Sequence, residues 1–419
     1  MPAMPSTLQQ LRPDTDHLDD VAGGPAIEPA PASKRDPLAI ATELAERLAA
    51  TAVERDQAGG HPKAERELIR ASGLLTLSIP TEFGGQGADW STVMAAVRIL
   101  ARADSALAHL FGFHHLQLAG IQLYGTELQQ RSLLTATVRQ KLFWGNALNP
   151  LDKRTRATAT PAGYILDGVK SFSSGSVGSD WLTVSAWDKE LDAALIAVVP
   201  TEQAGVHVEA DWDAFGQRQT DSGNVHFDKV YLPTALVLQA PGQAPTARST
   251  LRSQVAQLIM ANLYLGIAQG AFEAARDYTL EQQRPWFASS VEDAIDDPFT
   301  QHRYGQLWLI LRPAVLLADE AARQLDVAFR KGDAVTARER GEVAVAVAEA
   351  KVLAHRAAIE ISNQMFELLG ARATSNRFGF DRYWRNARVH TLHDPVDYKL
   401  RDLGRYALSG RVPDPTPYS

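Results

Sequence analysis

The sequence predicts a mainly α-helical protein with a central β domain. Three observations carry that reading. Apolar residues recur at helical spacing up to about residue 140 and again after about residue 250. Between about 143 and 240 the period changes to short runs of β-forming residues punctuated by Gly, Pro, Asp and Ser. Helices and strands come in blocks rather than in alternation, which argues against a doubly wound parallel sheet. With 419 residues the chain is long enough for two or three packed units.

In chain order, residues 1–36 are rich in Pro, Ala and Asp without sustained periodicity and are expected to form a mobile N-terminal arm. Asp36-Pro37 reads as an N-cap followed by proline at the first helical position, and Ile40, Leu44, Leu48 and Ala52 continue one helix towards Gly59-Gly60. This opens an N-terminal helical domain over 37–142, broken by the turn Phe83-Gly84-Gly85-Gln86-Gly87. A central β domain follows over 143–240, a small barrel or sandwich with strands expected at 164–166, 182–187, 193–199 and 225–232. Residues 241–419 are expected to form a four-helix bundle. Its helices are read at Leu258–Gln283, at Leu307–Arg330, from the capping box Thr336/Glu339 to Gly370, and over Arg385–Leu408 with a break at Pro395.

Composition narrows the function. Lysine and arginine total 42 against 49 aspartates and glutamates, a formal charge of −7, which argues against a nucleic-acid partner. The chain has no cysteine, so disulfides, thiolate nucleophiles and cysteine metal sites are excluded, as suits a reducing cytoplasm. No uninterrupted apolar run of membrane length and no basic-then-apolar leader is read, so no membrane association is expected. No Gly-x-Gly-x-x-Gly follows a strand, which speaks against a nicotinamide-binding Rossmann unit.

Several strings, in order, resemble the acyl-CoA dehydrogenase superfamily: Pro80 to Gly87, Lys170-Ser171-Phe172-Ser173-Ser174-Gly175, Gly266 to Ala271 with Tyr278 and Arg284, and Phe366 to Gly370 followed by Arg382 and Arg385-Asn386-Ala387. The departures are as informative. Trp144-Gly145-Asn146 stands in place of that family's Thr-Glu-Pro stretch, His393-Asp394-Pro395 in place of the string holding its catalytic glutamate, and Gly370-Ala371-Arg372-Ala373-Thr374 in place of its glycine-rich loop. These departures, with His109 to Gly112, Arg218 to Gly223, Gln283-Arg284-Pro285-Trp286 and Gly379 to Pro395, resemble one branch. That branch is the two-component, reduced-flavin-dependent monooxygenases related to dibenzothiophene monooxygenase.

The resemblance implies an acyl-CoA dehydrogenase-like fold and an FMNH2- and O2-dependent monooxygenase, oxygenating a thioether- or thiophene-type sulfur through an oxygen adduct at flavin C4a. A separate NADH:FMN oxidoreductase would supply FMNH2, and the chain is expected to form a homotetramer in which neighbouring subunits complete the flavin site. Residue by residue, Arg284 and Arg372 are expected to fork the FMN phosphate, the arginine at 372 also closing the path an adenosine half would take. Asn146, Ser174, Ser222, Trp212 and Phe172 are expected around the flavin ring. The plainer alternatives are surface ion pairs for the arginines, a turn-forming Asn, a locally satisfied Ser and a core Trp.

His393 is expected to supply a proton or hydrogen bond beside the reactive carbon, with His109 and His390 as further pocket histidines and no role for His114 or His115. Asp394 aligns with the dehydrogenase base. It is one methylene shorter and is followed by proline, so it is expected to orient a histidine rather than abstract a proton. Phe113, where the relatives have a tyrosine, and Trp286 are expected at the substrate pocket. The segment 284–301 is either a lid or an ordered surface loop. Other functions compatible with the scaffold are an FAD-dependent acyl-CoA dehydrogenase or oxidase, an N-oxygenating flavin monooxygenase, and a non-catalytic protein of this fold.

Overall fold

The structure, a computed structural model, describes residues 35–419; the arm expected over 1–36 lies almost wholly outside the described residues. The first helix, α1 (Pro37–Ala49), starts as expected, with the Asp36 carboxylate accepting the Leu38 N–H at 3.0 Å. It does not run on to Gly59. The chain breaks at Ala50-Thr51 and restarts as α2 (Ala52–Ala58). The cause is Arg55, whose guanidinium takes the Leu48 carbonyl at 2.7 Å, the Thr51 hydroxyl at 2.9 Å and Asp104 at 2.6 Å. Those bonds hold the kink that a four-residue apolar spacing does not reveal.

Helices α3 (Lys63–Ala71), α4 (Trp90–Ala103), α5 (Ser105–Tyr124) and α6 (Glu127–Gln140) complete the N-terminal part. Helix α5 is capped by Asp104, which accepts from Ala106 and Leu107 N–H, and is buried on every side. Burial all round explains why its sequence is apolar without a polar stripe.

Eight strands follow: β1 (Trp144–Ala147), β2 (Arg156–Thr160), β3 (Gly163–Lys170), β4 (Trp181–Asp188), β5 (Ala193–Pro200), β6 (Val206–Val208), β7 (Val225–Pro233) and β8 (Val237–Gln239). They form one sheet in the order β6-β7-β3-β2-β4-β5-β8, with β1 running parallel to β4. The antiparallel β4/β5 ladder runs from Trp181↔Pro200 to Asp188↔Ala193. The four strands read from the sequence are β3, β4, β5 and β7. The other four are three to five residues long and carry no sustained alternation.

The chain then returns to helices α7 (Leu251–Glu281), α8 (Pro298–Arg330), α9 (Ala337–Leu369), α10 (Asp381–Thr391) and α11 (Val396–Ser409). Helix α7 starts seven residues before the expected Leu258, and α8 starts at Pro298, capped by Asp297. The Thr336/Glu339 capping box opens α9, Gly370 with φ +69° closes it, and the last helical stretch is interrupted before Pro395 as expected. By length and composition α7 passes for a membrane span, but it is mostly buried, packed among α4, α5, α8 and α9 as the spine of the bundle.

Candidate active site

A cavity of about 920 Å³ opens where α5, the sheet, the N-terminal turns of α7 and the end of α10 meet. Helix α5 supplies one wall through a single face: His109, Phe113, Leu116 and Tyr124 follow one another at four-, three- and eight-residue steps. The His109 ring stacks on Phe113, centroids 3.9 Å apart and 18° from parallel. Its Nδ1 meets His390 Nε2 at 3.1 Å, joining α5 to α10. Burial pushes the His109 imidazole down to about 3, helped by His393, and burial likewise holds His390 well below the ordinary histidine range. Both rings are therefore neutral at neutral pH. His109 and His390 both line the cavity, and His109 Nε2 and His390 Nδ1 are buried with no hydrogen-bond partner among the described residues.

His114 and His115 point the other way on α5 and are structural. His114 accepts the Trp144 N–H at Nδ1 (3.1 Å) and donates to the Leu75 carbonyl (2.8 Å), while His115 bridges Ser78 and the Leu74 carbonyl. Strand β1 is thereby pinned to α5, which sets the position of Asn146.

The opposite wall is a set of loops leaving the sheet. Asn146 is fixed by its backbone N–H on the Ser174 carbonyl at 2.9 Å. The Ser174 hydroxyl meets Ser222 at 2.8 Å, Ser222 meets Thr220 at 2.8 Å, and Thr220 donates to the Gln217 carbonyl at 3.0 Å. A hydroxyl has one proton. With Thr220 donating to Gln217, Ser222 donates to Thr220 and Ser174 to Ser222, which leaves the Ser174 oxygen as an acceptor for a ligand N–H.

The loop carrying Gln217 packs against the last helices through close backbone contact. A Cβ on Gly216 would lie 2.2 Å from the Arg385 carbonyl oxygen, so only glycine fits. Asn386 Oδ1 accepts the Gln217 N–H at 2.6 Å. Asp221 behind the loop is held by His61 at 2.8 Å and by the buried Arg66 at 3.5 Å.

Phe172 and Trp212 form an aromatic corner, centroids 6.0 Å apart and 73° from parallel. Phe172 is two-thirds exposed and its φ is +57°, an uncommon conformation for a bulky residue. Gln217, which also lines the cavity, and Asp221 behind it in the same loop have positive φ as well.

His393 lies at the mouth, its side chain 41% exposed, with the Tyr418 ring 5.8 Å away. Its Nδ1 meets Asp394 at 2.9 Å. Asp394 is itself buried against Lys351, whose ammonium also reaches Gln257. Burial works against the charged carboxylate, yet the His393 hydrogen bond and the Lys351 charge together hold Asp394 below the usual carboxylate range. An ionised carboxylate engaged in this way is a poor base, and it is bonded to the histidine beside it.

Nine of the twelve residues singled out in the sequence thus line one cavity: His109, Phe113, Asn146, Phe172 and Ser174, with Trp212, Ser222, His390 and His393. Arg284, Arg372 and Trp286 do not, and the expectation that they sit at the pocket is corrected for the single chain. All three are exposed, Trp286 by 70%. The reason is length. The cavity meets the start of α7 around Met260, whereas Arg284 lies beyond its far end, more than about 30 Å along the axis at 1.5 Å per residue. The two arginine loops are neighbours, Gln283 Nε2 lying 3.8 Å from where a Cβ on Gly370 would stand. Within one chain, residues 284–297 are a mostly exposed connection with one short turn, Ala294–Asp296, and residues 298–301 already open α8. Sequence reasoning missed Gln217 and Arg252, both buried polar residues lining the cavity. Their periodic settings look like ordinary core or loop positions.

This three-part fold with a cavity at its seam matches models of the acyl-CoA dehydrogenase N-terminal domain over residues 39–141, the middle domain over 146–230 and the C-terminal domain over 258–398. A probable FMNH2-dependent monooxygenase of Pseudomonas putida, SfnC, is 49% identical over 92% of this chain and 98% of its own. Dibenzothiophene monooxygenase of Rhodococcus erythropolis is 46% identical over 93% and 97%. The structure of methanesulfinate monooxygenase MsuC from Pseudomonas fluorescens superimposes with a TM-score of 0.90 at 47% identity, covering 92% of this chain and all of that one. The chain belongs to the acyl-CoA dehydrogenase superfamily, within the branch that contains these monooxygenases.

Proposed function

We propose that the protein is the oxygenase component of a two-component system, a monooxygenase that uses reduced FMN and O2 to oxygenate an organosulfur substrate. The observation that carries this reading is the replacement of a free catalytic carboxylate by imidazoles: Asp394 is bound to Lys351 and His393, and His109 and His390 line the cavity, each with a ring nitrogen unpartnered among the described residues. Proton abstraction from an acyl chain needs a carboxylate free to take a proton. That group is engaged here.

The residues fit a mononucleotide flavin. Buried acceptor and donor atoms without partners, Gln217 Oε1 and the two ring nitrogens, sit with Ser174 and Asn146 around an aromatic corner. Reduced FMN, when bound, supplies two electrons and the site of O2 activation; one oxygen atom goes to the substrate and the other leaves as water. Ser174, polarised as an acceptor, suits an N–H of the reduced ring. His109 and His390, kept neutral by burial, hydrogen-bond without adding charge. His393, held at Nδ1 by Asp394, offers its second nitrogen at the mouth for a hydrogen bond. Phe113 and Leu116 keep water from the substrate side. Arg284 and Arg372 are proposed to meet the FMN phosphate of a neighbouring subunit in a homotetramer. Their exposure and mutual proximity, far from their own chain's cavity, support that assignment. A separate NADH:FMN oxidoreductase would deliver FMNH2 in the cytoplasm.

The test is anaerobic titration of the protein with FMNH2, followed by oxygen and an organosulfur substrate. The expected outcome is micromolar binding and one oxygenated product per flavin oxidised. For His393→Ala, flavin binding should persist while oxygenated product is lost to uncoupled peroxide. Reduction of tightly bound FAD by an acyl-CoA would overturn the proposal in favour of a dehydrogenase.

A further inference from the structure

Among the side chains lining the cavity, only two besides the histidines carry a formal charge: Asp213, exposed at the rim, and Arg252, 9% exposed, on the first turn of α7. A buried guanidinium is ordinarily paired with a carboxylate, because an uncompensated charge is costly to desolvate. Arg252 has no such partner among the described residues. Its Nη2 donates to the neutral Gln117 side-chain oxygen at 3.2 Å, and its Nε is buried with no hydrogen bond at all. The nearest ionisable neighbour is the Tyr124 phenol, itself pushed up by burial and therefore neutral at physiological pH.

The surroundings are built around this side chain. It crosses α5 at Gly120, where an added Cβ would stand 3.3 Å from Nε. Gln117, which receives its Nη2, is locked by a bond from its own amide to the Phe113 carbonyl at 2.9 Å. Arg252 therefore has a fixed bed and lines the cavity with a charge that no carboxylate among the described residues offsets, and Ser249, Thr250 and Ser253 of the same helix start line it too. The N-terminus of a 31-residue helix adds a positive potential at the same place.

We propose that Arg252 is the receptor for an anionic head group on the substrate, a sulfonate or sulfinate of a small organosulfur acid. A planar fork of donors with no internal acid matches an oxyanion that accepts two hydrogen bonds, and it penalises a neutral thiophene or sulfone, which leaves the charge unpaired. Phe113 and Leu116 lie between this anchor and His109 on the α5 face and form the apolar bed for the organic part. This deepens the monooxygenase reading and rests on it.

The test uses the intact protein and measures binding without turnover. Calorimetric titration with methanesulfonate and hexanesulfonate, alongside the neutral dimethyl sulfone and dibenzothiophene, is run on wild type, Arg252→Gln and Arg252→Lys. FMN and riboflavin titrations run in parallel. The expected result is sulfonate binding by wild type that falls between about 10- and 150-fold in Arg252→Gln, the range for one charge-assisted hydrogen-bonded anchor. Partial recovery is expected in Arg252→Lys, with flavin affinity unchanged. In turnover with the reductase, methanesulfinate should show the loss in KM rather than in kcat. Melting temperature separates a structural role: with no acid to strand, Arg252→Gln should melt no lower than wild type, whereas a structural ion would destabilise on removal. Weakened FMN with unchanged riboflavin in Arg252→Gln would reassign the residue to the cofactor phosphate and overturn the proposal. So would wild-type binding of dimethyl sulfone or dibenzothiophene that matches or exceeds sulfonate binding. Absence of any flavin binding by wild type would instead sink the monooxygenase reading itself.

Discussion

The Lys351–Asp394 pair offers a quantitative test of how this site was rebuilt. Lys351 is 1% and Asp394 8% exposed, and the ammonium has Asp394 and the neutral Gln257 as its partners. Replacing Lys351 by Met leaves a carboxylate buried with only His393 to offset it. Breaking a buried pair from one side costs about 3–5 kcal/mol. Asp394→Asn strands the ammonium and should cost a similar amount. The double variant, Lys351→Met with Asp394→Asn, strands neither charge, so its loss should be well below the sum, with a coupling of about 2–3 kcal/mol. Urea unfolding of the four proteins at neutral pH, followed by a probe in the helical bundle, measures the cycle. Coupling below about 0.5 kcal/mol would refute the pairing, since independent sites add to within that margin. The functional arm asks what Asp394 does. In Asp394→Asn the amide oxygen still accepts the His393 Nδ1–H, so coupled oxygenation should survive in the folded fraction, while Asp394→Ala should lose it. Equal loss in both would mean that the carboxylate itself takes a proton.

Three further outcomes follow from the same geometry. Burial depresses His109 and His114 to about 3 and holds His115 and His390 well below their ordinary value, so each binds a proton more readily unfolded. Their contribution is complete above about pH 6.5 and is lost as the pH falls towards the folded values, at a limiting slope of about 1.4 kcal/mol per pH unit for each group. A denaturation midpoint that stays flat from pH 7 to pH 5 would contradict this, and His109→Phe should make the profile shallower. Ser174→Ala removes one acceptor from the cavity wall and should weaken reduced FMN by about 0.5–1.5 kcal/mol, up to about tenfold, read by anaerobic fluorescence titration. Arg372→Ala should weaken FMN while sparing riboflavin, and equal weakening of both flavins would show that the arginine does not meet the phosphate.

What was legible in the sequence has a physical pattern. Caps and breakers placed the helix ends because Asp36, Thr336/Glu339, Gly370 and Pro395 act locally, within a few residues of the bonds they make or block. Strands β3, β4, β5 and β7 were legible because they are eight or nine residues long. Strands β1, β2, β6 and β8 were not, since each has only three to five residues, too few for an alternation to show. The break between α1 and α2 was hidden for a different reason: it depends on Arg55 reaching Leu48 and Asp104, which no periodicity encodes. At the site, the resemblance supplied residues whose neighbours form recognisable strings, such as Ser174 and His393. Arg252 escaped because it sits two residues inside a buried helix, where an arginine reads as a surface position on a register that began too late, at Leu258.

The distribution of charge explains why one scaffold can change its chemistry at this position. A dehydrogenase needs a carboxylate that is ionised, unpaired and free to receive a proton. Here the aligned position, Asp394, is ionised but committed: Lys351 satisfies its charge and His393 takes its oxygen. A shorter side chain with a buried lysine behind it serves as a mount for an imidazole rather than as a reactive group. Two more imidazoles, His109 and His390, are then kept neutral by burial, so the cavity gains hydrogen-bonding capacity without gaining charge. Neutral donors suit the handling of a reactive oxygen species, because a fixed cation beside it would favour early loss of peroxide anion. On this argument, restoring a free carboxylate takes more than Asp394→Glu. The variant Lys351→Met with Asp394→Glu should regain a base-like titration near or above the normal carboxylate range and still show no acyl-CoA oxidation, because the histidines remain in the cavity where a thioester would lie. Acyl-CoA turnover by that variant would mean that the carboxylate alone decides the chemistry, and the imidazoles would then be bystanders.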